Sequence, residues 1–125
     1  MRLRGSETVL AVDDDPTTLE LVEKVLISYG YRVLSAASGE EALEMVTAQP
    51  EKIDLLLTDV MLPGMKGQDL ARKLIADRPD VSILFMSGFL CPSMAHTGSE
   101  KLADAFIQKP FALNTLLRKV RRILD

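Results

Sequence analysis

The chain has 125 residues, of which 47% are hydrophobic and 26% charged, so one domain with an ordinary core is expected and disorder is excluded. A net charge of −3 argues against nucleic acid as the main partner, and a single Cys with a single His excludes an intramolecular disulfide and a standard zinc site. No apolar stretch reaches the roughly 18 residues of a transmembrane helix, and MRLRGSETV has no signal-peptide h-region, so a small soluble intracellular domain over residues 1–125, with its core from about residue 8, is the expectation.

In chain order, the first apolar run is Thr8–Val12, closed by Asp13-Asp14-Asp15. A helix is expected from about Pro16 to Tyr29, with Leu19, Val22, Leu26 and Tyr29 on one face, Pro16 in the first turn and Gly30 as the stop. Arg32–Ala36 is the second strand. Ser38 and Glu41 form a capping-box signature for a second helix, which carries Ala42, Leu43 and Val46 inward and ends before Pro50.

Ile53–Thr58 is the third strand, followed by Asp59 and a helix from about Gln68 to Ala76. Val81–Met86 is the fourth strand, followed by Ser87. The helix expected from Ser93 to Ala103 is diluted by Gly98 and hydroxyl residues. Ala105–Ile107 is the fifth strand, followed by Lys109-Pro110. A last helix, Leu113–Leu124, turns Leu116, Leu117, Val120, Ile123 and Leu124 inward. Its Arg118, Lys119, Arg121 and Arg122 read as a solvated basic face complementing the helix C-terminus.

Regular βα alternation predicts an α/β fold, a five-stranded parallel sheet with helices on both faces. Continuous apolar strands suit burial on both sides. In a doubly wound sheet the site lies at the carboxyl ends of the strands. Four of the five strands deliver polar groups there: Asp13 and Asp14, Asp59, Ser87 and Lys109. Two carboxylates about 5 Å apart repel by about 3 kcal/mol at an effective dielectric near 20, so such a cluster shifts its pKa values or binds a cation. Oxygen ligands favour a hard divalent ion, Mg2+ in a sparse site. A carboxylate can be a nucleophile that forms an aspartyl phosphate, and a lysine and a hydroxyl can hold the transferred group.

The segments VLAVDDDP, DLLLTDVMLPGMKG, ILFMSG and FIQKPF, in this order and spacing, resemble the receiver (CheY-like) domain of two-component response regulators, of the kind fused C-terminally to hybrid sensor histidine kinases. The resemblance spans Val9 to Phe111. It implies a flavodoxin-like (βα)5 fold with strand order 2-1-3-4-5.

It also implies a phosphorelay module in which Asp59 accepts a phosphoryl group from a kinase phosphohistidine and a protein-interaction surface switches. By the same resemblance Asp14, Asp59 and the backbone carbonyl of Met61 are Mg2+ ligands, with Asp13 acting through water and Mn2+ as a substitute ion. Ser87 and Lys109 stabilise the phosphate, Ser87 and Phe106 are switch residues, and the Lys109–Pro110 bond is a cis candidate.

The implied partner is a histidine kinase or a histidine phosphotransfer domain. The implied state is a cytoplasmic monomer or weak phosphorylation-dependent dimer, tethered to a membrane-bound sensor in the hybrid case. Direct contact with nucleic acid or membrane is not implied. Self-phosphorylation and autodephosphorylation are its only expected catalysis. Phe106 stands where the family more often has tyrosine, and Asp15 adds a third acid for which no ligand role is expected.

Two other functions compete. Asp13-Asp14-Asp15-Pro16-Thr17 fits the D-x-D-x-T pattern of haloacid-dehalogenase-type phosphatases, with Asp13 as nucleophile. That reading lacks an acidic pair after the lysine and leaves Asp59 without a role. A non-phosphorylated docking domain would normally have lost an acid or the lysine, and here both are present. Cys91 and His96 read as structural, and the six methionines as core filler.

Overall fold

The computed structural model describes residues 2–48, 51–88 and 105–125. Its elements are β1 (Thr8–Val12), α1 (Pro16–Ser28), β2 (Arg32–Ala36), α2 (Gly39–Ala48), β3 (Leu55–Asp59), α3 (Gly67–Asp77), β4 (Ser82–Ser87), β5 (Phe106–Gln108) and α4 (Leu113–Leu124). The expected helix at Ser93–Ala103, with Cys91 and His96, lies outside the described residues.

All strand pairs are parallel, in the order β2-β1-β3-β4-β5. Every residue of β1 and β3 is buried, as expected for central strands covered on both faces. Alternate side chains feed two cores. Leu10, Val12 and Leu56 pack with Ala42, Val46, Leu70 and Leu74 of α2 and α3. Val9, Ala11, Leu55 and Leu57 pack with Val22 and Leu26 of α1 and Leu116, Leu117 and Val120 of α4.

Local signals explain the boundaries. Asp15 is the N-cap of α1; its carboxylate accepts from the Thr17 backbone N–H (3.1 Å) and the Thr18 hydroxyl (2.9 Å). Those two bonds hold the exposed Asp15 carboxyl below its usual range. Ser38 Oγ accepts from Glu41 N, but the Glu41 carboxylate reaches back to Ala37 N, one residue earlier than in the standard box. Gly30 adopts φ +99° after α1, a conformation that glycine takes without steric penalty. On α3, Leu70 and Leu74 are buried while Ile75 stays exposed.

The basic face expected on α4 divides. Arg121 is buried, not solvated. Its guanidinium bonds Glu7 (2.5 and 3.1 Å), Asp125 (3.0 Å), the Tyr31 hydroxyl (3.1 Å) and the Arg4 carbonyl (3.2 Å). A planar five-donor fork can be satisfied inside the protein, which a periodicity argument overlooks. The methionines divide as well: Met86 is fully buried, whereas Met61 is 63% exposed.

Candidate functional site

The register of the sheet aligns the strand ends. Asp13 directly follows β1, and its backbone N–H bonds the Ala36 carbonyl at the end of β2 (3.2 Å). Asp59 is the last residue of β3 and pairs with Met86, one residue before Ser87 at the end of β4. Lys109 follows β5 and donates its backbone N–H to the Ser87 carbonyl (2.7 Å). The Lys109–Pro110 peptide bond is cis.

Lys109 draws the acids together. Its Nζ lies 2.6 Å from Asp13 Oδ2 and 2.8 Å from Asp59 Oδ2. The remaining oxygens are braced by backbone: Asp13 Oδ1 accepts from Asp15 N (2.9 Å) and Asp59 Oδ1 from Met61 N (3.0 Å). The two braces repeat one geometry, a carboxylate accepting the N–H two residues on, which pre-sets each rotamer. Asp13 is 1% exposed and Asp59 8%, whereas Asp14 opens to solvent.

Burial pushes the Asp13 carboxyl up from its ordinary value, and the Lys109 hydrogen bond only partly offsets this. For Lys109 burial acts downward, but the hydrogen bonds to Asp13 and Asp59 outweigh it and raise the ammonium. The lysine therefore stays charged between its two anions.

Carboxylate oxygens of Asp13, Asp14 and Asp59 lie within 4.8 Å of one another. Three carboxylates face one ammonium, so the cluster keeps an excess of negative charge. An all-oxygen donor set with one member open to water fits a hard divalent cation that retains water ligands.

Gly67 sits where α3 meets β3. A Cβ there would overlap the Asp59 carbonyl, and Gly67 N bonds the Val60 carbonyl (3.0 Å). The glycine thus lets α3 begin against the residue whose carboxylate joins the cluster. This role was not read from the sequence, although the MKG that closes DLLLTDVMLPGMKG held the signal.

The response regulator receiver domain model matches residues 9–121. The chain belongs to this family. It is 36% identical over 98% of its length to the sensor kinase CckA of Brucella abortus, and 38% identical over 93% to the response regulator MprA of Mycobacterium leprae. It spans 13% of the first relative and half of the second.

Among solved structures, a CheY-like receiver domain protein from Methanospirillum hungatei matches with a TM-score of 0.83 at 31% identity, covering 97% of this chain and 95% of that one. The receiver domain of the hybrid histidine kinase CckA matches at 0.77 and 32% identity, covering 94% and 99%. The receiver domain is a phosphoacceptor signalling module of two-component systems, with the flavodoxin-like order expected. Among the described residues, no helix is long and apolar enough to cross a membrane.

The constellation read from the sequence is brought together in Asp13, Asp14, Asp59 and Lys109, with Ser87 buried at the adjoining strand end. Phe106 lies two strands away from Asp59, across β4, half-buried and stacked on Phe85 at a centroid distance of 5.3 Å. The Met61 side chain points outward, leaving its main chain next to Asp59.

Proposed function

We propose that Asp59 is the phosphoacceptor. The observation that carries this reading is the single ammonium of Lys109 bonded at once to Asp13 and Asp59. That geometry uses Asp59, for which the phosphatase reading has no role. An Asp59 oxygen attacks the phosphorus of a donor phosphohistidine, the P–N bond breaks, and the histidine leaves with its electron pair and takes up a proton. Lys109 then exchanges the Asp59 oxygen for a phosphoryl oxygen, and the Ser87 hydroxyl donates to another.

Asp14, Asp59 and the Met61 carbonyl would hold Mg2+, or Mn2+ in its place, with Asp13 contributing through water. When bound, the ion supplies positive charge against the acids and the incoming phosphoryl oxygens. Met61 N–H fixes the Asp59 carboxylate throughout.

The donor is a histidine kinase or histidine phosphotransfer domain, and a hybrid kinase is the parent architecture that the CckA likeness supports. Phosphorylation moves Ser87 and Phe106 and alters a protein-interaction surface of a cytoplasmic monomer or weak dimer.

Intact mass after incubation with acetyl phosphate tests the assignment. One phosphate adduct is expected with Mg2+, none without it, and none in Asp59→Asn. Turnover of phosphate esters that needs Asp13 but not Asp59 would hand the site to the phosphatase reading.

A further inference from the structure

β5 is the terminal strand of the sheet, so among the described residues one side of it has no strand partner. The bonds to β4 show which residues face which way. Phe85 N bonds the Ala105 carbonyl and Lys109 N bonds the Ser87 carbonyl, both at 2.7 Å. Residues 105, 107 and 109 therefore turn their backbone groups toward β4, and Phe106 turns its own toward the outer edge. An outward carbonyl at a sheet edge needs water or another donor.

Lys119 supplies that donor. Its Nζ lies 2.6 Å from the Phe106 carbonyl, in a partly buried contact. The lysine comes from α4, which packs on the sheet face opposite to the one holding the Phe106 ring. Leu116, Leu117 and Val120 belong to the core with Ile107, whereas Phe106 packs on the core with Phe85. The Lys119 stem thus wraps around the edge of the sheet to reach the backbone of a residue on the other face.

We infer that Lys119 is a positioning residue for the Phe106 switch. Its ammonium pins the peptide plane that follows Phe106, so the backbone is held while the ring retains rotation about χ1. Exchange between ring positions then proceeds as a discrete side-chain move rather than a shift of the whole strand. This rests on Phe106 acting as the switch aromatic.

The test uses the resting protein with its four phenylalanines replaced by fluorophenylalanine, the Phe106 signal being identified with Phe106→Leu. Lys119→Met keeps the apolar stem and removes the donor; Lys119→Arg keeps a charged donor. Lys119→Met is expected to shift or split the Phe106 signal and to speed amide exchange at Ile107 and Lys109, whose N–H groups face β4, about tenfold, the loss of one charge-assisted hydrogen bond. Lys119→Arg is expected to restore both.

An unchanged Phe106 signal in Lys119→Met overturns the inference. So does a disturbance spread evenly over all four phenylalanines that Lys119→Arg does not repair, because that reports a general loss of packing. Adding acetyl phosphate and Mg2+ to the wild type separates the underlying reading. A Phe106 signal that ignores phosphorylation removes Phe106 from the switch, while the effect of Lys119 on the resting protein is decided without it.

Discussion

Gly67 begins α3 directly against the main-chain carbonyl of Asp59, with no room for a Cβ between them. A methyl group there must push either the helix or the end of β3. Gly67→Ala is expected to cost about 1–3 kcal/mol by overcrowding and to slow phosphorylation by displacing Asp59, the proposed acceptor. Gly88→Ala is the control, since a Cβ at Gly88 meets nothing within 4 Å among the described residues. Urea unfolding and acetyl phosphate kinetics on both variants check this, and equal behaviour would contradict it.

Lys109→Met leaves Asp13 buried opposite a neutral chain end. The expected loss is at most about 3 kcal/mol, because Asp13 escapes by taking up a proton and the lysine was 21% exposed. Asp13→Asn in the same chain should recover part of it, giving a coupling energy above about 0.5 kcal/mol in a double-mutant cycle. Strict additivity of the two substitutions would show that the contact carries no energy.

Glu7 and Arg121 make stability depend on pH. The Arg121 hydrogen bond holds the Glu7 carboxyl below its ordinary value, against the upward push of burial. A depressed acid stabilises the fold above its unfolded pKa, about 4.3, and that contribution fades as pH falls through the lower folded value. Glu7→Gln is therefore expected to cost about 1–2 kcal/mol at pH 7 and progressively less below pH 4. Chemical unfolding of both proteins at pH 7 and pH 3.5 reads the gap; a gap that widens on acidification has the wrong sign.

Asp15 adjoins the metal-binding candidates but caps a helix. Asp15→Ala is expected to lower the urea midpoint through the loss of the cap while leaving the phosphate adduct and its Mg2+ requirement intact. Loss of the adduct in this variant would make Asp15 part of the site.

A cation that binds only the folded protein raises its stability by mass action. Mg2+ is expected to lift the melting temperature, EDTA to reverse the gain, and Asp14→Asn to blunt it. A melting temperature indifferent to Mg2+ across millimolar concentrations would count against the acidic cluster as a metal site.

Much of this was legible because the cues were local. β1, β2 and α4 run between the residues that apolar runs and periodicity marked, since buried strands and an amphipathic helix write their burial into composition. β3 and β4 each end one residue later than the apolar runs, because Asp59 and Ser87 continue the ladder while bearing polar side chains. Asp13, Asp59 and Lys109 were legible as strand-end residues of a parallel sheet. The contacts of Arg121 with Glu7 and Tyr31, and of Lys119 with the Phe106 carbonyl, were not. They join residues far apart in sequence through side-chain donors, and a basic residue on a helix has the same local pattern whether its charge meets water or a buried partner.

The guanidinium of Arg121 also sets where the domain can be cut for grafting. Its partners Glu7 and the Arg4 carbonyl lie ahead of the first strand, and Gly5 N bonds the Tyr29 carbonyl (3.1 Å). A chimera joined at Thr8 would keep all five strands yet leave a buried cation without its main anion. A junction placed before Leu3 carries the lead-in along, so the transplanted unit arrives with that charge already matched.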